Sequence, residues 1–192
     1  MKQIHKAALA GAALAFAFGT TIFVPTLTTA KEMTKMVGGA AMYPSKNIVQ
    51  NAVNSKDHTT LVAAVKAAGL VKTLESKGPF TVFAPTNEAF SELPAGTVDT
   101  LLKPENKKML AGILTYHVIP GRLTAKDLIA KVKAGNGKAE IKTVEGDKLT
   151  FEYQGAKLTV TDEKGDTADI TIANVMQSNG VIHVIDKVML PG

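Results

Sequence analysis

Apolar positions recur at helical spacing through the first half of the chain and at strand spacing through the second. Asn47 predicts the cap of a short helix over 48–53, with Ile48, Val49, Ala52 and Val53 on one face. Asp57 predicts the cap of a helix over 58–68, with a stripe of Leu61, Val62, Val65 and Ala68 and a left-handed stop at Gly69. Residues 70–75 add another turn or two before Gly78. Thr86-Asn87-Glu88 opens a short helix burying Ala89 and Phe90, and Thr97 opens one carrying Val98, Leu101 and Leu102. After Pro104, residues 105–115 place Met109, Leu110, Ile113 and Leu114 on one side. Thr124 to Asp127 resembles a capping box and leads into Leu128, Ile129 and Val132.

From Glu140 the period becomes two. Leu149, Phe151 and Tyr153, then Ala156, Leu158 and Val160, then Ala168, Ile170 and Ile172 alternate with polar residues, as half-buried strands do. Gly146, Gly155 and Gly165 stand in the links. Residues 79–84, 116–119 and 181–190 are apolar on both faces and predict strands, the last of them central. No regular βαβ alternation and no Gly-rich phosphate loop occurs, which excludes a doubly wound parallel fold. The expected object is an α+β domain, an antiparallel sheet or sandwich with its helices gathered at one end.

The N-terminus has a different pattern. Lys2 and Lys6 precede an apolar run over 7–18, and Thr28-Thr29-Ala30 puts small residues before Lys31. This is the layout of a secretory signal over 1–30, cut near Ala30; Pro25 and the 19–21 break are wrong for a membrane anchor. Residues 31–44 lack a period and contain Gly38-Gly39, which reads as a flexible leader to a domain over 45–192. Removing the signal lowers the net charge from +5 to +3, so the basic balance points to no particular anionic partner. With 45% hydrophobic residues in a chain of 192, a sizeable core is available and global disorder is excluded. The absence of cysteine excludes disulfides, thiolate metal sites and thiol catalysis. One arginine, Arg122, among 22 basic residues argues against gripping nucleic acid.

Candidate chemistry is sparse. His5, His58, His117 and His183 show no metalloenzyme spacing and no serine elbow beside them. His58 is expected to be solvated in the first turn of its helix, and His183 to lie within an apolar strand. The acidic run over 162–169 has Lys164 at a ligand position and no terminal Glu, so it reads as a hairpin tip and not a calcium loop. Met33, Met36 and Met42 are a thioether-rich stretch that soft Cu(I) would accept; a copper titration with and without 31–42 tests it. No metal or other cofactor is assigned.

Three segments together resemble a known family. They are Gly78-Pro79-Phe80-Thr81-Val82-Phe83-Ala84-Pro85-Thr86-Asn87-Glu88-Ala89-Phe90, Tyr116-His117 with Val118-Ile119-Pro120-Gly121, and residues 179–191 from Asn179-Gly180-Val181 to Pro191. In order and spacing they are similar to the homology blocks of fasciclin-type domains, over about 47–191, most of all the small secreted bacterial ones. The resemblance implies a compact wedge, an antiparallel β-sandwich with a helical lobe, and a non-catalytic role in adhesion or protein contact at a cell surface or extracellular matrix. It also implies partner contact at Tyr116 and His117, and at a second motif matched here by Val175-Met176. At that second motif Asn174 stands where an Asp would be needed to bind an integrin metal. The apolar neighbours Leu114, Val118 and Ile119 instead predict burial of the Tyr-His pair, with His117 hydrogen-bonded inside. The rival function is an extracytoplasmic carrier of a lipid, sugar or metal. An apolar pocket of about 300 Å³ or more would favour the carrier, and an exposed apolar patch of several hundred Å² the adhesin.

Overall fold

The computed structural model describes residues 33–192; the expected signal segment lies outside them. The chain begins with a hairpin, β1 (Lys35–Val37) and β2 (Ala40–Met42). Helix α1 (Ile48–Ala52) follows, then a 3-10 turn (Lys56–His58), α2 (Thr59–Ala68) and α3 (Val71–Glu75). Strand β3 (Phe80–Pro85) leads to α4 (Asn87–Ser91), α5 (Thr97–Leu101), α6 (Lys107–Tyr116), β4 (Val118–Pro120) and α7 (Ala125–Ala134). The remainder is β5 (Lys138–Lys142), β6 (Lys148–Gln154), β7 (Lys157–Thr161), β8 (Thr167–Gln177) and β9 (Gly180–Ile185).

Capping chemistry sets the helix starts. The Asn47 side chain accepts from the Gln50 N–H, and Gln50 reaches back to the Asn47 N–H. Thr124 and Asp127 form the same reciprocal box on α7, and Thr86 accepts from the Ala89 N–H on α4. Gly69 ends α2 at φ 76°.

The seven-stranded sheet runs in the order β4-β3-β9-β8-β7-β6-β5. Every pair is antiparallel except β3 and β9, which run parallel, Phe83 opposite His183. The Val144 N–H, just beyond β5, donates to the Val118 carbonyl of β4 at 2.7 Å, so the two edges of the sheet approach each other and it curls nearly shut. The two central strands are apolar on both sides because they separate two cores. Val82, Ala84, Ile182 and Val184 face the helices, packing against Leu61, Val65, Leu110 and Leu114. Phe83 and Ile185 face the inside of the curl, with Leu149, Phe151, Val160 and Met189, and α7 plugs it with Leu128 and Val132. This is the expected α+β arrangement, with both layers drawn from one sheet and one parallel pair added.

Four local expectations are corrected. Residues 31–44 do not behave as a flexible leader where described: Gly38-Gly39 is the two-residue turn of a hairpin, and Val37 and Met42 are buried. Burying two such side chains contributes about 1.5–3 kcal/mol each, enough to order a short segment. Residues 116–119 are not one strand, because α6 continues through Tyr116 and the chain turns at His117. Met109 is 60% exposed, since α6 meets α2 through Leu110, Ile113 and Leu114, and the residue before that stripe points away. Finally, the last strand ends at Ile185, and the segment after it is held by side chains.

Candidate functional site

Helix α6 ends in the crowded seam between the two cores, and this places Tyr116 and His117. Tyr116 is wholly buried in the inner core. Its hydroxyl donates to the Lys148 carbonyl at 2.8 Å and accepts from the Glu163 N–H at 3.2 Å, tying the helix to the 148–163 hairpin. Burial pushes its pKa up to about 12.

His117 is 2% exposed. Its Nδ1–H donates to the Ile113 carbonyl at 2.8 Å, which fixes the tautomer, and Nε2 accepts from the Met189 N–H at 3.0 Å. Burial lowers its pKa to about 4, so the ring is neutral. The pair is therefore a clasp joining α6, the β6–β7 hairpin and the C-terminal segment. Neither side chain reaches the surface.

The second expected contact lies on β8. Register shifts flank this stretch of the strand, and Asn174 there adopts φ 57°, a conformation asparagine tolerates. Its side-chain oxygen accepts the Ala125 N–H at 2.7 Å, at the start of α7. Val175 is buried and Met176 is half-buried. Of Tyr116, His117, Val175 and Met176, only Met176 has a side chain that a partner could touch without the fold opening.

His58 departs from expectation. It is 3% exposed, with Nδ1 hydrogen-bonded to Ser55 Oγ at 2.8 Å. Its Nε2 is buried, with the Ala84 backbone as its neighbouring hydrogen-bonding group. Desolvation is the main influence and holds its pKa below the usual value. The ring is buried because Asn87, after β3, takes the Lys56 carbonyl and the Thr60 N–H and draws the 3-10 turn against the sheet. His183 is also internal: Nε2–H donates to the Leu123 carbonyl, Nδ1 faces the Asn174 N–H, and the ring stacks on Phe83.

His58, His117 and Val175, distant in sequence, line one narrow apolar crevice beneath α1, α2 and α3, with a free volume of about 100 Å³. A second depression of about 290 Å³ lies among α2, α4 and α5, wide open and with a mixed lining that includes Asn87 and Asp99. Neither joins a volume near 300 Å³ to an apolar lining. The acidic 162–169 tip is a capped turn: Asp162 accepts the N–H groups of Lys164, Asp166 and Leu190. Among the described residues no group of three metal-ligating side chains gathers, and no helix is long and apolar enough to cross a membrane. Met42 is buried while Met33 and Met36 are exposed, so the three thioethers do not share one face.

Several exposed apolar side chains lie in or near the hairpin along the chain. Among the described residues, Met33, Met36, Tyr43 and Val53 belong to the β1–β2 hairpin, its flanks and the end of α1, while Met109 and Val144 stand apart from them. Lys46 lies 5.0 Å over the Tyr43 ring.

The fasciclin domain family matches the chain over residues 56–191. Protein sll1483 of Synechocystis is 47% identical over 177 residues, covering 90% of this chain and 91% of its own. Transforming growth factor-beta-induced protein ig-h3 of Sus scrofa is 43% identical over 131 residues, 68% of this chain and 17% of its own. Immunogenic protein MPB70 of Mycobacterium bovis is 37% identical over 145 residues, 73% and 66% of the two chains. Among solved structures, a FAS1 domain pair from the insect cell adhesion molecule fasciclin I matches with a TM-score of 0.69 at 18% identity. It covers 77% of this chain and 52% of its own, a likeness of fold.

Proposed function

The chain belongs to the fasciclin domain family, and on that premise we propose that it is a secreted or cell-surface module that docks a protein or matrix partner and performs no catalysis of its own. The observation that carries the reading is where the apolar surface lies. The polar groups best suited to chemistry are turned inward: His117 and His183 use both ring nitrogens within the fold, and the Tyr116 hydroxyl makes two internal bonds. Met33, Met36, Tyr43 and Val53 are turned outward around the hairpin. Aromatic and methionine side chains at a surface are what a docking patch uses. Insect fasciclin I, whose domain pair has this fold, is a cell adhesion molecule, which agrees in kind.

Secretion is supported by the charged start, apolar run and small-residue exit over 1–30. In this proposal Tyr116, His117 and Val175 act from within the fold, and Met176, half-buried on β8, is the member of that set open to contact.

The test is capture of envelope and matrix proteins on the immobilised full chain, wild type against Met36→Glu and Val53→Glu. Both positions are exposed, so melting should stay within about 1 °C while capture of the specific partner falls at least tenfold. Undiminished capture by both variants would move the docking surface elsewhere. Turnover of a substrate by the purified chain would end the non-catalytic reading.

A further inference from the structure

The crevice beneath α1, α2 and α3 is almost wholly hydrocarbon, with walls such as Ile48, Leu61, Val65, Val82 and Ile182. One charged side chain belongs to its lining, Lys66 in the last turn of α2, and no carboxylate does. The two imidazoles of the wall, His58 and His117, are kept uncharged at neutral pH by burial. Lys66 is exposed, as are Thr73 and Val144 of the same lining, so the crevice opens to solvent there.

A second cation stands near that mouth. A Cβ on Gly69, at the end of α2, would lie 3.3 Å from Nζ of Lys107, the first residue of α6. Neither α2 nor α6 contains an acidic residue, and among the described residues neither Lys66 nor Lys107 joins a salt bridge. The negative end of the α2 dipole favours both ammonium groups where they are without calling for a carboxylate. Positive charge at the entrance of an apolar hollow is thus left for an anion to match.

We propose that this crevice binds a small aliphatic carboxylate, its hydrocarbon body inside and its carboxylate at the mouth against Lys66, with Lys107 adding to the attraction. An apolar cavity of about 150 Å³ holds benzene, so the free volume of about 100 Å³ suits a body of roughly four carbons. The charge stays at the mouth because a carboxylate drawn in among these walls would lose its hydration with no cation in return. None of Met33, Met36, Tyr43 and Val53 lines the crevice, so failure here leaves the adhesive reading standing.

The experiment titrates the methyl-labelled full chain, at neutral pH and fixed low salt, with pentanoate and with pentylammonium, which carry similar bodies and opposite charges. Pentanoate is expected to move the methyl resonances of Ile48, Val65 and Val82 and to bind at least about threefold more tightly than pentylammonium. Lys66→Glu, at an exposed position, should fold as the wild type does and invert that preference. Lys133→Glu, the same change of charge at an exposed position of α7 outside the lining, should leave it within about twofold. Crevice methyls that pentanoate does not move, equal binding of the two ions by the wild type, or a preference altered no more by Lys66→Glu than by Lys133→Glu would overturn the proposal.

Discussion

His117 is neutral in the fold because its two nitrogens have fixed and different tasks, Nδ1–H as donor to Ile113 and Nε2 as acceptor from Met189. Protonation would put a second N–H where the Met189 N–H already points. Burial lowers the folded pKa from 6.5 to about 4, so the unfolded chain takes up the proton first. The stability this residue contributes is whole above about pH 6.5 and is lost as pH falls from there through about 4. His58 and His183 are shifted downward by the same cause and add in the same sense. Urea midpoints should therefore decline steadily from pH 7 to pH 4, the His117 share alone being on the order of 3 kcal/mol. A flat profile over that interval would contradict the neutral clasp. His117→Ala leaves the Met189 N–H and a cavity behind and should cost roughly 2–4 kcal/mol in a denaturation curve. Any loss of binding in that variant should be no larger than its loss of stability; unchanged melting with lost adhesion would reverse the assignment.

The hairpin is the element whose behaviour is least obvious from its composition. Its turn residues differ sharply in what surrounds them. A Cβ on Gly38, at φ 56°, would lie 2.3 Å from Ser55 Oγ and 2.6 Å from the Asp57 N atom, whereas one on Gly39 would meet nothing within 4 Å. Gly38→Ala should thus lower stability by about 2 kcal/mol or more, while Gly39→Asn, also at positive φ, should cost under about 1 kcal/mol. Equal effects in chemical denaturation would mean that the hairpin is not seated on the 3-10 turn. Gly180 has a similar role at the start of β9: a Cβ there would come 2.1 Å from the Phe80 carbonyl oxygen, so the parallel pairing with β3 requires glycine.

At the scale of the whole molecule, the sheet has to be tied at its ends because it curls around a core. Asp162 does this from the tip of the β7–β8 connection, accepting two N–H groups of its own turn and the Leu190 N–H of the C-terminal segment. Asn179 does it at the opposite side: Oδ1 accepts the Ile48 N–H at the start of α1, and Nδ2 donates to the Leu74 and Ser76 carbonyls around the end of α3. Asp162→Ala should release the C-terminus and cost roughly 2–4 kcal/mol, seen as lost hydrogen-exchange protection at Leu190. Calcium or a chelator should leave the melting temperature of the wild type unchanged, because that carboxylate is already occupied by backbone N–H groups. A calcium-dependent rise of several degrees would restore the metal loop as a reading.

Much of this was legible in the chain itself. Caps at Asn47, Thr86 and Thr124, the stop at Gly69 and the alternating strands after Glu140 are local matters, decided by side chains within four residues of one another or by the two-residue period of a strand. The two-sided apolar runs over 79–84 and 181–190 announced strands buried on both faces for the same reason, although the second strand stops at Ile185. Tertiary structure alone decided the parallel pairing of β3 with β9, the burial of His58, the ordering of the Gly38-Gly39 hairpin and the meeting of His117 with Met189, 72 residues away. Each depends on a partner brought in from elsewhere in the chain. Pattern along a sequence records which face of an element avoids water and carries no record of what will cover it.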